Sequence, residues 1–197
     1  MQLPDGKNRC FGTRPGQELL AEYHDQEWGI PVYDDQVLFE MLTLEGAQAG
    51  LSWEVVLKKR KGYQRAFHNF DLEKVAMMPD DALEALRSDP EIVRNRLKIY
   101  STRSNAAAIL EIQAEYGSFA DYLWEFVAHQ PVINHFATHA DVPASTPLSD
   151  RISKDMKKRG LRFVGTTIIY AYIQGVGLVN DHTADCWCVS QPERTGG

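Results

Sequence analysis

The chain has 197 residues, 44% of them hydrophobic and 24% charged, and a formal net charge of −6. That length suits one well-cored domain. No apolar run is long enough to cross a membrane, and the opening MQLPDGKNRC lacks the apolar centre of a secretory signal, so a cytosolic protein is expected. Three cysteines, an odd number, argue against a disulfide framework; the acidic balance argues against nucleic acid only if the basic residues are dispersed.

Residues 1–18 are punctuated by Pro and Gly and read as an irregular lead-in holding Cys10. A short helix over 19–29 carries Tyr23 and His24 and closes at Trp28 and Gly29. Asp34 or Asp35 can cap the next helix. Residues 38–53, LFEMLTLEGAQAGLSW, read as an amphipathic helix with Leu38, Leu42 and Ala49 on one stripe. Glu45 interrupts that stripe, and a carboxylate aimed at a core must be paired, protonated or facing a cavity. Gly50, Leu51 and Trp53 add a flexible turn, an apolar tip and an aromatic face. An acid beside such a face suits a flat cationic ring; an acid simply paired inside the fold is the plainer reading.

A third helix spans 53–67, broken by Gly62, with a basic run at 58–61. Short helices over 72–77 and 80–87 are separated by Pro79 and Pro90. The longest helix covers 95–116 and stops before Gly117, and another short one covers 119–127. Residues 130–148 are loop-like. Ser149 or Asp150 then caps a helix through Arg159, the GLRFVG stretch at 160–165 forms a tight hairpin, and a further helix spans 166–175. Strand-like alternation is nearly absent. The expected class is all-α, as one domain over 1–190 with a tail over 191–197.

Two groupings carry chemistry. His182 and Cys186 stand four apart, while Cys10 and His24 are the early residues of metal-binding type besides the acids. Two Cys and two His make a closed tetrahedral zinc set with no place for water, structural rather than catalytic, and would clip the two ends of the chain together. The pair at 182 and 186 is also compatible with chance, and Cys188 is a spare thiol. Four cysteines for an iron–sulfur cluster are not available. The second grouping is the helix–hairpin–helix over 149–175. Gly160 and Gly165 bracket the turn, and Thr166 and Thr167 open a helix whose free N–H groups suit a phosphate oxygen. Arg151, Lys154, Lys157, Lys158, Arg159 and Arg162 surround it, so a locally positive DNA-facing side is compatible with the acidic total.

With YHDQEWG (23–29), the 38–53 block, VLKKR (56–60), FVAHQP (126–131), KKRGLRFVGTTI (157–168) and GLVNDH followed by Cys186, the chain closely resembles the 3-methyladenine DNA glycosylase I family of the helix–hairpin–helix superfamily. The resemblance implies a helix–hairpin–helix glycosylase fold and a base-excision repair enzyme. Such an enzyme flips 3-methyladenine out of double-stranded DNA and hydrolyses its N-glycosidic bond, leaving an abasic site without lyase activity. It implies one structural zinc per chain on Cys10, His24, His182 and Cys186, and a monomer. It makes Glu45 the catalytic-site carboxylate that reads the base, Trp53 the stacking platform and Tyr23 a second wall. Gly50 and Leu51 would fill the gap left by the base, while Gly160, Phe163, Gly165 and Thr166 would contact the DNA. Family members often carry a Trp two residues after the first zinc cysteine, where this chain has Gly12 beside Phe11. Asp181 falls near the place where related glycosylases hold a catalytic Asp, although this family does not depend on one. A non-catalytic DNA-damage binding module is the competing expectation, and a zinc hydrolase a third.

Overall fold

A computed structural model describes residues 3–48 and 50–190; Ala49 and the expected tail at 191–197 lie outside the described residues. The described chain is mostly helical. In order come α1 (Glu18–Gln26), α2 (Asp35–Gln48), α3 (Trp53–Ala66), α4 (Leu72–Ala76), α5 (Asp80–Leu86), α6 (Arg96–Tyr116), α7 (Phe119–Glu125), α8 (Pro147–Lys158) and α9 (Thr166–Gly175). A short parallel pair, β1 (Val132–Ile133) and β2 (Val179–Asn180), joins the 130–148 loop to the C-terminal segment, with Val132 opposite Val179 and Ile133 opposite Asn180.

α2 is the central element, and it is not amphipathic as its stripe suggests. Every residue from 38 to 47 is buried, because α3, α6, α7 and α9 pack around it; a helix surrounded in this way has no solvent face. Its two interior acids are treated differently. Glu40 accepts from Arg60 Nε at 2.9 Å and from Gln64 Nε2 at 2.8 Å, whereas Glu45 has no such partner among the described residues.

The two aspartates before α2 divide the capping. Asp34 Oδ1 accepts from Val37 N at 2.9 Å and caps α2 itself. The Asp35 carboxylate instead takes Phe119 N at 2.7 Å and Ala120 N at 2.8 Å, closing the first turn of α7, and Gln113 Nε2 at 2.6 Å from α6. One acid thus ties three helices.

Helix limits differ from expectation in several places: α1 stops at Gln26 rather than Gly29, α2 spans Asp35–Gln48 rather than 38–53, and two further departures have a clear packing or capping cause. α3 runs straight through Gly62, because the residue is there for close packing: a Cβ would lie 2.2 Å from the Glu91 carbonyl oxygen. α8 starts at Pro147 and is capped by Thr146, not by Ser149 or Asp150. Thr146 Oγ1 accepts from Ser149 N at 3.2 Å and Ser149 Oγ accepts from Thr146 N at 2.9 Å, a reciprocal capping box with Pro at the first helical position.

The 160–165 turn between α8 and α9 is pinned from both sides. Asn105 of α6 donates to Arg162 O at 3.0 Å and accepts from Arg162 N at 2.8 Å. Ser153 Oγ donates to Val164 O at 2.6 Å. We expect Gly62→Ala to cost about 1–3 kcal/mol by overpacking against Glu91, measured by urea denaturation; an unchanged midpoint would contradict the packing role.

Candidate active site and metal centre

Glu45 lies near the C-terminal end of α2, facing a cavity of about 460 Å³ bounded by α1, α2, the start of α3, α9 and the 139–144 segment. Its side chain is 4% exposed and takes no hydrogen bond or ion pair from a described residue. Burial alone raises its pKa from the ordinary 4.5 to about 8. Tyr23 projects from α1 and Trp53 from the first turn of α3, which Ser52 caps. Their rings stand 5.4 Å apart at 58°. The Tyr23 hydroxyl and Trp53 Nε1 are both buried without a hydrogen-bond partner among the described residues. Gly175 of α9 lets this corner close: a Cβ there would come 2.9 Å from the Tyr23 hydroxyl and 3.8 Å from Glu45 Oε1. The cavity therefore offers a carboxyl, an unpaired hydroxyl, an unpaired indole N–H and two aromatic faces. Such a set suits a flat, polar ring, and a cationic one above all, because the carboxyl can ionise to meet it.

The N-terminal wall is Phe11. Its ring meets Trp28 edge-on at 5.1 Å and lies 6.3 Å from Tyr23. Gly12 cannot contribute a side chain: its φ is +71° and a Cβ would sit 2.7 Å from Ala21 N. Trp28, Tyr170 and Gln174 also border the cavity and were not singled out from the sequence. Thr167, Tyr170, Ala171 and Gln174 share one face of α9 at helical spacing, a pattern that is visible in the sequence once a cavity is known to face it.

Gly50 (φ +84°) and Leu51, 40% exposed, form a projecting tip just past α2. Lys98 Nζ donates to Ala47 O at 2.7 Å, holding the helix end that carries this tip. Gly160 and Gly165 both face open space, while Phe163 is half-buried on Gly46 of α2 and Thr166 Oγ1 lies 2.8 Å from Ser149 Oγ. The turn and the tip are thus set against the same end of α2. Of the basic residues around the turn, Arg151, Lys154, Lys157, Lys158 and Arg162 are exposed. Arg159 is instead engaged by Asp155 at 2.7 Å and Glu115 at 2.6 Å.

Cys10, His24, His182 and Cys186 come together, with one ligand atom from each lying within 4.8 Å of all the others. Zinc-type bonds of about 2.3 Å to sulfur and 2.0–2.1 Å to nitrogen, arranged tetrahedrally, give S···N edges of about 3.5 Å. Cys10 Sγ to His182 Nδ1 is 3.6 Å, Cys186 Sγ to His182 Nδ1 is 3.4 Å and Cys186 Sγ to His24 Nε2 is 3.5 Å. The four residues fit a tetrahedral ion. The other nitrogen of His24 lies 2.9 Å from Asp25 Oδ1, an orienting carboxylate of the kind metal-bound imidazoles use. Burial works against the charge of Asp25, yet Arg9, His24 and Trp187 hold its carboxyl well below the usual range. Cys188 is buried 3.9 Å from His24 Nδ1, on the side away from the four-residue cluster. Asp181 is buried, bound by Tyr170, Gln174 and Asn134, and does not border the cavity.

The family model described as methyladenine glycosylase matches residues 13–189. The chain is 49% identical to DNA-3-methyladenine glycosylase 1 of Escherichia coli (strain K12), covering 91% of this chain and 96% of that protein. It is 44% identical to the DNA-3-methyladenine glycosylase of Haemophilus influenzae, covering 87% of this chain and 93% of that protein. Its fold superposes with a TM-score of 0.87 on the crystal structure of a Tyr-to-Phe variant of 3-methyladenine DNA glycosylase I in complex with 3-methyladenine. The two are 34% identical, over 92% of this chain and 97% of that one.

Two outcomes check the site's physics. If the cluster holds a metal, a chelator should lower Tm by on the order of 10 °C, since the early and late described segments meet there; Cys186→Ser should show the lowered Tm and no response to chelator. For Glu45, the folded pKa of about 8 exceeds the ordinary 4.5. The folded chain therefore binds a proton that the unfolded chain does not. This group's contribution is full below about 4.5 and is lost as pH rises through about 8. In melts at pH 5 to 9, Glu45→Gln should gain on the parent chain with rising pH, by up to ~1.4 kcal/mol per unit; parallel curves would contradict the burial.

Proposed function

The chain belongs to the methyladenine glycosylase family, and from that premise we propose that it excises 3-methyladenine from alkylated double-stranded DNA by hydrolysis. The observation that carries this reading is Glu45, a buried carboxyl with no partner among the described residues, set among the unpaired polar atoms and aromatic faces of Tyr23 and Trp53.

A base inside a duplex is out of reach, so the enzyme extrudes it, and a lesion that pairs poorly costs less to extrude. In DNA, 3-methyladenine carries a positive charge. As the base enters the cavity, Glu45, which burial keeps protonated, gives up its proton to solvent and forms a carboxylate–cation pair, while Trp53 and Tyr23 present electron-rich faces to the ring. Neutral adenine provides no such exchange. Gly50 and Leu51, exposed at the tip, occupy the space that the base leaves. Backbone N–H groups of the turn around Gly160, Phe163, Gly165 and Thr166 hold the phosphates, with the exposed lysines supplying charge.

The bond that breaks joins the sugar C1′ to the base nitrogen, and its electron pair leaves with the base. Water supplies the hydroxyl that ends on C1′ and gives its proton to solvent. The base departs neutral, so its own positive charge drives the reaction and a strong general acid is not required. The charge moves towards the sugar as the bond opens, so a carboxylate against the base acts mainly in recognition. No lysine borders the cavity among the described residues, and without such a nucleophile the product is an intact abasic site.

The Cys10–His24–His182–Cys186 set is read as one structural zinc: four protein ligands leave no position for a reacting water. The chain is further read as a monomer with one domain over 1–190, acting in the cytoplasm on the bacterial genome; no described helix is long and apolar enough to cross a membrane.

Incubating methylated duplex DNA with the purified, metal-loaded protein should release free 3-methyladenine, resolved by chromatography, with strand scission only after alkali. Glu45→Gln and Trp53→Ala should each reduce kcat/KM roughly 10- to 100-fold, the worth of a charge-assisted or stacking contact in a dry pocket. A folded parent protein that releases no base would refute the proposal.

A further inference from the structure

Asp181 sits between the base cavity and the metal cluster, in contact with both through other residues. It is 1% exposed, and its hydrogen-bond partners among the described residues are neutral donors. The Tyr170 hydroxyl and Gln174 Nε2 donate to Oδ2, the latter at 2.7 Å, and Asn134 Nδ2 donates to Oδ1 at 2.7 Å. Tyr170 and Gln174 stand one turn apart on α9, and both border the cavity. Asp181 itself does not, so its carboxylate is out of contact with an occupant.

On the other side, the next residue, His182, joins the metal cluster. Its Nε2 lies 3.3 Å from the carbonyl of Trp28, another residue of the cavity wall. Gln174 also accepts from Gly29 N through its own carbonyl at 3.0 Å. A buried carboxylate held by three donors fixes the rotamers of the donors as firmly as they fix it.

We propose that Asp181 is a positioning residue of the base pocket, locking Tyr170 and Gln174 as its α9 wall and fastening that wall to the segment carrying His182. This rests on the reading of the cavity as the base site. It gives the aspartate a role distinct from direct support of the reacting sugar and from orientation of the metal.

The test uses the full-length, metal-loaded chain with Asp181→Asn, Tyr170→Phe and the double variant. Three quantities are read: calorimetric affinity for free 3-methyladenine, kcat and KM on methylated duplex, and bound metal by elemental analysis. Asp181→Asn should weaken base affinity and raise KM together, roughly 10- to 100-fold, with kcat changed less than about threefold and full metal content. Tyr170→Phe, which keeps the ring and is the gentler change, should move the same quantities by less. The double variant should be no worse than Asp181→Asn alone, because both remove one network.

Unchanged base affinity in Asp181→Asn, additive losses in the double variant, a fall confined to kcat, or losses that track missing metal would each overturn the proposal. Should Asp181→Asn fail to fold, unchanged affinity in Tyr170→Phe overturns it alone. A parent chain that neither binds nor releases 3-methyladenine defeats the base-site reading itself, an outcome separable from all of these.

Discussion

The constraint on which the rest of the structure turns is the burial of the Glu45 carboxyl without a counter-charge among the described residues. Glu40, on the same helix, shows the ordinary solution: Arg60 and Gln64 satisfy it, and Arg60 is in turn shared with Glu27. Among the described residues, Glu45 faces a cavity in place of a partner. Keeping it there requires a helix that cannot rotate the acid out to water, and α2 is enclosed by α3, α6, α7 and α9. The unmet demand is then available to a ligand. A carboxyl already desolvated in the free protein pairs with a cationic ring more strongly than a wet one does, while a neutral ring, which leaves it protonated, gains only the stacking and hydrogen-bond contacts.

The cavity also depends on parts of the chain far apart in sequence. Phe11 reaches it from the lead-in, which has little regular structure of its own. That lead-in is fixed by Cys10 at the cluster, by Arg9 bonded to Asp25 at 2.8 Å and 2.7 Å, and by Trp187 N donating to Asn8 O at 2.9 Å. Asp25 gathers Arg9, His24 and the Trp187 indole in one place. The metal cluster therefore sits directly behind the aromatic wall: Phe11 meets His24 edge-on at 4.9 Å, and Trp28 meets His182 at 4.7 Å. An ion held by this cluster would fix the shape of the pocket wall as well as join the early and late segments of the described chain.

Much of this was legible in the sequence, for identifiable reasons. The helices announced themselves through periodicity and through Gly and Pro punctuation, and Glu45 stood out because an acid broke an apolar stripe. The four metal-type residues could be picked out because so few Cys and His occur near the ends. What sequence did not convey was environment. Period cannot tell a helix with one buried stripe from one enclosed on all sides, so α2 read as amphipathic. Gly62 read as a helix breaker because the Glu91 carbonyl that requires it is remote in the chain. The start of α8 was misplaced because Ser149, a good cap by type, is the third residue of a box opened by Thr146. The α9 side of the cavity was hidden for a similar reason: Tyr170 and Gln174 look like ordinary helix residues until Asp181 and the cavity are placed on either side of them.

The central claim, that Glu45 is held neutral and waiting for a cation, is open to direct observation by isotope-edited infrared titration of its carboxyl. The free protein should show that carboxyl titrating near pH 8, and with a duplex carrying 3-methyladenine bound, the carboxylate band should appear at neutral pH. A carboxyl that already titrates in the ordinary range in the free protein, or one that stays protonated with the cationic base in place, would contradict the account.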